Sequence, residues 1–273
     1  MTPAPTVETV STTDLLDELL ALATRLATQT GAFLLDGLTR PRTAIATKSS
    51  GTDMVSEMDK EAERMLVDGI LAARPHDGIL GEEGTDTIGP SGVRWIIDPL
   101  DGTTNYLYGH PQWSVAVGVE IDGVGSVGVV DAPMLRETYT AAVGGGAFCN
   151  GRPIRASGCE SLGHALVATG FGYEASLRQW QGAIVATLLP EVRDLRRGGS
   201  AALDLCFVAS GRVDAYYERG CNAWDLSAGT VLVREAGGTA TGLAGPEPVR
   251  DLVVAAGATL HPMLRSRLTQ LIG

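Results

Sequence analysis

The stretch WIIDPLDGTTNY, residues 95–106, constrains this chain more than any other. An apolar run that reads as a buried strand ends in Asp98, followed by Pro99, Leu100, Asp101, Gly102 and two threonines. Two carboxylates three residues apart repel one another unless positive charge lies between them. Pro99 forces the chain out of the strand and keeps Asp98 extended. A turn through Gly102 then brings both carboxylates, and the Leu100 carbonyl between them, to one side. Hard oxygen ligands on a loop at a strand end suit Mg²⁺. A tight Asp-Gly turn with a capping aspartate is the competing reading, and residues 95–106 alone leave the two open.

Two further acidic positions bear on that choice. Glu82 and Glu83 end the preceding strand, in GILGEEG, and can lie at the same sheet edge. Asp225, in WDLSAGTVLVREAGG, opens a helix, where it reads either as a plain N-cap or as a ligand. Acids at several element ends, flanked by glycines and by Trp95 and Trp224, favour a metal site over scattered surface charge. Thr103 can open a helix whose free N–H groups face an anion.

The rest of the chain divides into two rhythms. Residues 15–35 repeat leucine and alanine at helical spacing and read as a long amphipathic helix. A turn-rich polar stretch follows, with Ser56 as candidate cap of a second helix that runs to Ala73 and is stopped by Pro75. Strands are expected at 78–83, 93–98, 113–121, 124–130 and 136–142, the last three joined by glycine-bearing turns. From about Gly151 strands and helices alternate: strand 166–169, helix 180–189, helix 200–209 capped by Ser200, strand 213–218 and helix 225–236, closed by Gly237 and Gly238. An α+β half over residues 12–150 therefore precedes an α/β half over 151–273, the two forming one catalytic unit over 1–273. GVGSVG, residues 123–128, fits the dinucleotide fingerprint, but strand rather than helix follows it, so its glycines read as a hairpin. Neither GxSxG nor HExxH occurs, and the four scattered histidines form no triad pattern.

Charge narrows the partners. A net charge of −11 excludes nucleic acid, whose phosphates demand clustered lysine and arginine, and equally an anionic membrane surface. An acidic protein with an anionic substrate needs metal ions to close that gap. Four cysteines without CxxC spacing read as reduced thiols of a cytoplasmic protein. The first 14 residues read as a disordered lead-in, not a signal peptide, and no apolar run reaches the roughly 20 residues of a membrane span.

GEEG, WIIDPLDGTTNY and WDLSAGTVLVREAGG together resemble the signature elements of the inositol monophosphatase family. KSSGTDMVSEMD before them, GAFCNGRPI between them and GSAALDLCFVASGRVDAYYERG resemble the same family in order and spacing, from about Leu15 to the end. The resemblance implies a layered αβαβα sandwich of the inositol monophosphatase and fructose-1,6-bisphosphatase type, a homodimer, and a Mg²⁺-dependent, lithium-sensitive phosphatase. It implies that Glu82, Asp98 and the Leu100 carbonyl hold one Mg²⁺, that Asp98, Asp101 and Asp225 hold a second, and that Glu82 touches a weaker third ion. Thr103, paired with Asp59, would help activate the attacking water, and Gly102, Thr103 and Thr104 would cradle the phosphate. Asp101, Gly199, Ser200, Ala201, Glu218 and Asp225 would line the alcohol site. Arg219 and Asn222 lie where the family varies, which opens the choice of alcohol. The implied substrate is inositol monophosphate or a similar polyol phosphate. Histidinol-phosphate, fructose-1,6-bisphosphate and adenosine 3′,5′-bisphosphate phosphatases are alternatives on the same fold, and a non-catalytic interaction protein is the alternative from another class.

Overall fold

Helix α1 (Thr12–Gly37) turns Leu19, Leu22, Ala23, Leu26, Ala27 and Leu34 inward, at the helical spacing its sequence predicts. Burying each such leucine stabilises the fold by about 1.5–3 kcal/mol. In the computed structural model, which describes residues 12–38, 45–47 and 54–272, α1 packs with α2 (Glu57–Ala73) on one face of an eight-stranded sheet. The polar lead-in to residue 11 and the turn-rich stretch 48–53 lie outside the described residues, as does the side chain of Ser56, the expected cap of α2. Between α1 and α2, where residues 42–59 read as turn-rich and polar, a short antiparallel ribbon instead pairs β1 (Ile45–Thr47) with β2 (Met54–Ser56).

The large sheet contains β3 (Gly78–Gly81), β4 (Asp86–Thr87), β5 (Val93–Asp101), β6 (Ser114–Ile121), β7 (Val124–Ala132), β8 (Glu137–Ala142), β9 (Gly146–Cys149) and β10 (Arg152–Pro153), in the order 10-9-8-7-6-5-3-4. Only β3 and β5 run parallel; every other pair is antiparallel, as the hairpin spacing leads one to expect. The short helix α3 (Thr103–Tyr108) follows β5 directly. The strand does not stop at Asp98: β5 continues to Asp101 through a break in register with β6 between those two residues. Pro99 has no N–H for the ladder, so the strand bulges at this point instead of ending.

The second half supplies α4 (Ala175–Leu188), α5 (Ala201–Ala209), α6 (Ala223–Glu235) and α7 (Leu260–Ile272). Its sheet combines β11 (Leu166–Thr169), β12 (Asp194–Arg196), β13 (Ala215–Glu218), β14 (Gly238–Gly242) and β15 (Val253–Gly257) in the order 12-11-13-15-14. Helices α5 and α6 fill the space between the two sheets, where Ala116, Val130 and Tyr139 of the large sheet share a core with Leu203, Leu205, Leu232 and Tyr216. Ile184 and Leu188 of α4 and Leu260, Leu264 and Leu268 of α7 cover the far face of the small sheet. The result is the expected five-layered αβαβα sandwich. Among the described residues, no helix is long and apolar enough to cross a membrane.

GVGSVG does form a hairpin, with Gly123 at φ 79° in its turn, and its last glycine has a second role. Gly128 of β7 is paired in register with Gly118 of β6. A Cβ on Gly128 would stand 2.3 Å from the Ala228 carbonyl oxygen, and one on Gly118 would stand 2.1 Å from the Ser227 hydroxyl. This bare cross-strand pair lets α6 settle onto the sheet, which carries Asp225 at the start of α6 toward the end of β5.

Candidate active site

The bulge in β5 and the first turn of α6 deliver Asp98, Asp101 and Asp225 to one place. One ligand oxygen from each lies within 4.8 Å of the others. Asp98 and Asp101 are buried and Asp225 is half-buried. Each is held by backbone. Asp98 Oδ1 accepts the Leu100 N–H at 3.0 Å, fixing the turn after Pro99. Asp101 Oδ2 accepts the Ser200 hydroxyl at 2.6 Å and the Ala202 N–H at 2.7 Å, so a residue of the large sheet also secures the start of α5. Asp225 Oδ2 accepts the Asn222 N–H at 2.5 Å. Asn222, not Asp225, is the N-cap of α6. Asp225 is the third helical residue of a capping box, which turns its carboxylate back over the helix start.

Glu82 joins the same pocket from the turn after β3. That turn is pinned from α2 by buried Glu63, which accepts the Glu83 N–H at 2.6 Å, the Thr85 N–H at 3.1 Å and the Thr85 hydroxyl at 2.7 Å. Gly81 is required for this approach, since a Cβ there would meet Glu63 Oε2 at 2.5 Å. Strand β3 ends at Gly81, so both glutamates follow the strand, and of the two only Glu82 lines the pocket.

The pocket is a cavity of about 650 Å³. Leu100, Gly102, Thr103, Thr104, Gly199, Ala201 and Glu218 line it beside the four acids. Gly102 sits at φ 93°, and a Cβ there would press on the Gln112 and Gly199 carbonyls at 3.0 and 3.2 Å. The Thr103 hydroxyl is 3.2 Å from Asp59 Oδ2 and 3.1 Å from the Leu100 carbonyl, and its single proton serves one of them at a time. Asp59 is fully buried behind it on α2. Glu218 ends β13, where its Oε2 accepts the Tyr216 hydroxyl at 2.8 Å. Ser200 is the expected cap of α5 and is not among the residues lining the cavity. Its hydroxyl donates to Asp101 and accepts the Leu203 N–H of α5 at 3.3 Å, as an N-cap does.

Several lining residues had no counterpart in the sequence reading, namely Phe171, Tyr173, Arg178, Arg197 and Arg250. Phe171 and Tyr173 follow the carboxyl end of β11, a position where α/β sheets bind ligands, and that rule could have found them. Asn105 supports the site from outside by donating to the Gln112 and Gly198 carbonyls at 2.5 and 2.9 Å, tying α3 to the loop before α5.

Electrostatics argue for a cation here. Burial pushes the Asp98 carboxyl well up, and the charges of Glu82, Asp101, Asp225 and Asp59 push it further. Asp225 is likewise raised, by burial and then by Asp101 and Glu82. Burial lifts Asp101 to about 6 despite its hydrogen bonds from Ser200 and Ala202, and lifts Glu218 to about 7. Buried oxygen ligands with like charge and fixed positions form a donor set for a hard divalent cation. The residues present therefore fit one.

A pH dependence follows. An unfolded carboxyl titrates near 4. A carboxyl whose folded value lies higher confers stability that is full below that point and is lost as the pH rises through the folded value. In EDTA the melting temperature is expected to fall by roughly 5 °C or more between about pH 5.5 and 8. Saturating Mg²⁺ should remove most of that fall. Calorimetric scans across this range check it, and a flat or rising profile in EDTA would contradict the electrostatic reading.

The inositol monophosphatase family model matches residues 15–272. The protein named Inositol-1-monophosphatase SuhB from Mycobacterium tuberculosis is 46% identical over 203 residues, covering 71% of this chain and 70% of that one. Nus factor SuhB of Escherichia coli is 40% identical over 231 residues, covering 83% and 86%. The crystal structure of the extragenic suppressor protein suhB from Bartonella henselae superposes with a TM-score of 0.88 at 33% identity, over 93% of this chain and 99% of that one. With the match running almost end to end in both sequence and fold, the chain belongs to the inositol monophosphatase family.

Proposed function

We propose that this chain is a Mg²⁺-dependent phosphomonoesterase that hydrolyses inositol monophosphate or a similar polyol phosphate to the free alcohol and phosphate, acting as one catalytic unit. The observation that carries this reading is the convergence of Asp98, Asp101 and Asp225 within 4.8 Å, with Glu82 on the same cavity. Glu82, Asp98 and the Leu100 carbonyl would hold one cation, and Asp98, Asp101 and Asp225 a second. Bound there, Mg²⁺ supplies the positive charge that draws a phosphate dianion into an acidic pocket, eases proton loss from water and stabilises the leaving oxygen.

The chain's own groups do the rest. The Thr103 hydroxyl, backed by Asp59, orients the attacking water and relays its proton. The backbone of Gly102, Thr103 and Thr104 cradles the phosphate. Glu218, with Gly199 and Ala201 across the cavity, meets the hydroxyls of the alcohol. Glu218→Gln is expected to weaken polyol monophosphates by about tenfold more than a simple aryl phosphate, the scale of one charged hydrogen bond. Parallel kcat/KM measurements on the two esters check this; equal losses would make Glu218 structural.

The test of the reading as a whole is a phosphate-release screen over a panel of esters. Turnover is expected with Mg²⁺ and none in EDTA, with calcium inhibiting. Undiminished turnover in EDTA would refute it. Relatives carrying the name Nus factor favour a second, non-catalytic role. Such a role would survive Asp101→Asn, whereas phosphatase activity would not.

A further inference from the structure

Four arginines, Arg178, Arg197, Arg219 and Arg250, line the cavity that holds the acidic cluster. They come from α4, from the segment after β12, from the end of β13 and from the segment before β15. All four belong to the small-sheet side, facing a floor built from the end of β5. Arg219 is already committed. It pairs with Asp251 at 2.8 Å and lies 4.8 Å above the Trp180 ring. Arg178, Arg197 and Arg250 have no carboxylate within ion-pair distance among the described residues, a state they share with several arginines elsewhere; what sets them apart is that they meet at one cavity. In a chain of net charge −11, four arginines gathered at one cavity call for an explanation.

Two of the three are held in place. Arg250 donates to the Asn222 side chain, at the N-cap of α6, and its carbonyl accepts the Gly220 N–H at 2.8 Å. Arg197 lies 5.9 Å from the centre of the Phe171 ring. Glu174 and Glu218 share this wall without an ion pair to these arginines among the described residues, although the Arg197 charge acts on Glu218 and on buried Asp204 and opposes the rise that burial causes in both. A guanidinium fixed at the rim presents a planar fork that matches phosphate or carboxylate in two-point fashion. A polyol with hydroxyls alone would meet that fork through single bonds to neutral oxygens, weaker than the paired bonds an anion accepts.

We propose that Arg197 and Arg250 bind a second anionic group, phosphate or carboxylate, on the alcohol part of the substrate. The phosphate to be cleaved then rests over the acidic floor and the second anion rests at the rim, with Glu218 meeting the hydroxyls between. This rests on the phosphomonoesterase reading and narrows its substrate to polyol phosphates carrying a further negative charge.

Titration calorimetry on the full chain in Ca²⁺ tests it. The probes are a hexitol monophosphate, the same hexitol phosphorylated at both ends, and a hexonic acid bearing one phosphate. Wild-type protein is expected to bind each doubly anionic ligand about tenfold or more tightly than the monophosphate. A preference confined to one of them identifies the second group as phosphate or as carboxylate. The double substitution Arg197→Gln/Arg250→Gln should bring the ratio to within about threefold of unity, and each single change should lower it part way. Both side chains are exposed, so the fold should tolerate the changes. Equal wild-type affinities for all three ligands overturn the proposal, as does a preference that persists in the double variant. Phosphate release from an aryl phosphate in Mg²⁺ is measured alongside. If no ester is hydrolysed, the phosphatase reading fails, while the binding ratios still decide for or against the second-anion site.

Discussion

Asp101→Asn is expected to lower kcat/KM for a phosphate monoester by roughly 10³-fold or more in saturating Mg²⁺, the upper range for a single catalytic group. Asp101 lies within 4.8 Å of Asp98 and Asp225 in the proposed metal cluster while anchoring the start of α5 through Ser200 and Ala202. Asparagine keeps an oxygen that can accept those two hydrogen bonds, so the fold should persist. What it removes is the negative charge. In EDTA that removal relieves repulsion among buried carboxylates, so the variant should melt at or above the wild-type temperature. In Mg²⁺ the order should reverse, because a cation stabilises the protein only as far as the fold binds it. Asp98→Asn should behave in the same way. Kinetics and melting curves with and without metal check both, and full turnover in either variant would refute the metal assignment.

The second large effect is expected at Thr103. Thr103→Ala should lower kcat by roughly 10²-fold or more with little change in KM, the pattern of a contact made chiefly in the transition state. The hydroxyl is buried, 3.2 Å from Asp59, and lines the cavity at the first residue of α3. A hydroxyl is a far weaker ligand for Mg²⁺ than a carboxylate, so its contribution belongs to water orientation rather than to metal affinity. Asp59→Asn should reproduce most of the loss, and Thr103→Ser should retain most of the activity. If Thr103 served only as a helix start, alanine would lower the melting temperature and leave kcat nearly intact. Measuring both quantities on the same three variants separates the two roles.

Much of this site is legible in the sequence because its parts are local. A strand running into Asp98, Pro99 and Asp101 announces itself, and the Asp-Gly-Thr-Thr turn follows without a gap. The helices with clear periodicity, α1 and α2, are equally plain. The bulge in β5 is not legible in the sequence, since proline reads as a stop when the neighbouring strand is unknown. Strand β15 goes unread because the short apolar run Leu252 to Ala256 carries no period that separates strand from helix, and β14, with glycine at both ends, reads as a turn; helix α7 goes unread although Leu260, Leu264 and Leu268 recur at helical spacing. The glycine pair Gly118 and Gly128 looked like hairpin punctuation, and only the docking of α6 shows what their bareness permits. Arg178, Arg197 and Arg250 come from separate segments whose meeting at one rim is a property of the tertiary fold alone.

The proposed phosphate-ester hydrolysis depends on divalent-metal binding by Asp98, Asp101 and Asp225. Its most direct test is a crystal grown with Mn²⁺ in place of Mg²⁺ and measured at the manganese absorption edge. Anomalous peaks are expected among these three carboxylates and beside Glu82, the first of them lost or strongly weakened in Asp101→Asn. Absence of any peak at this cluster, at a Mn²⁺ concentration that supports turnover in solution, would contradict it.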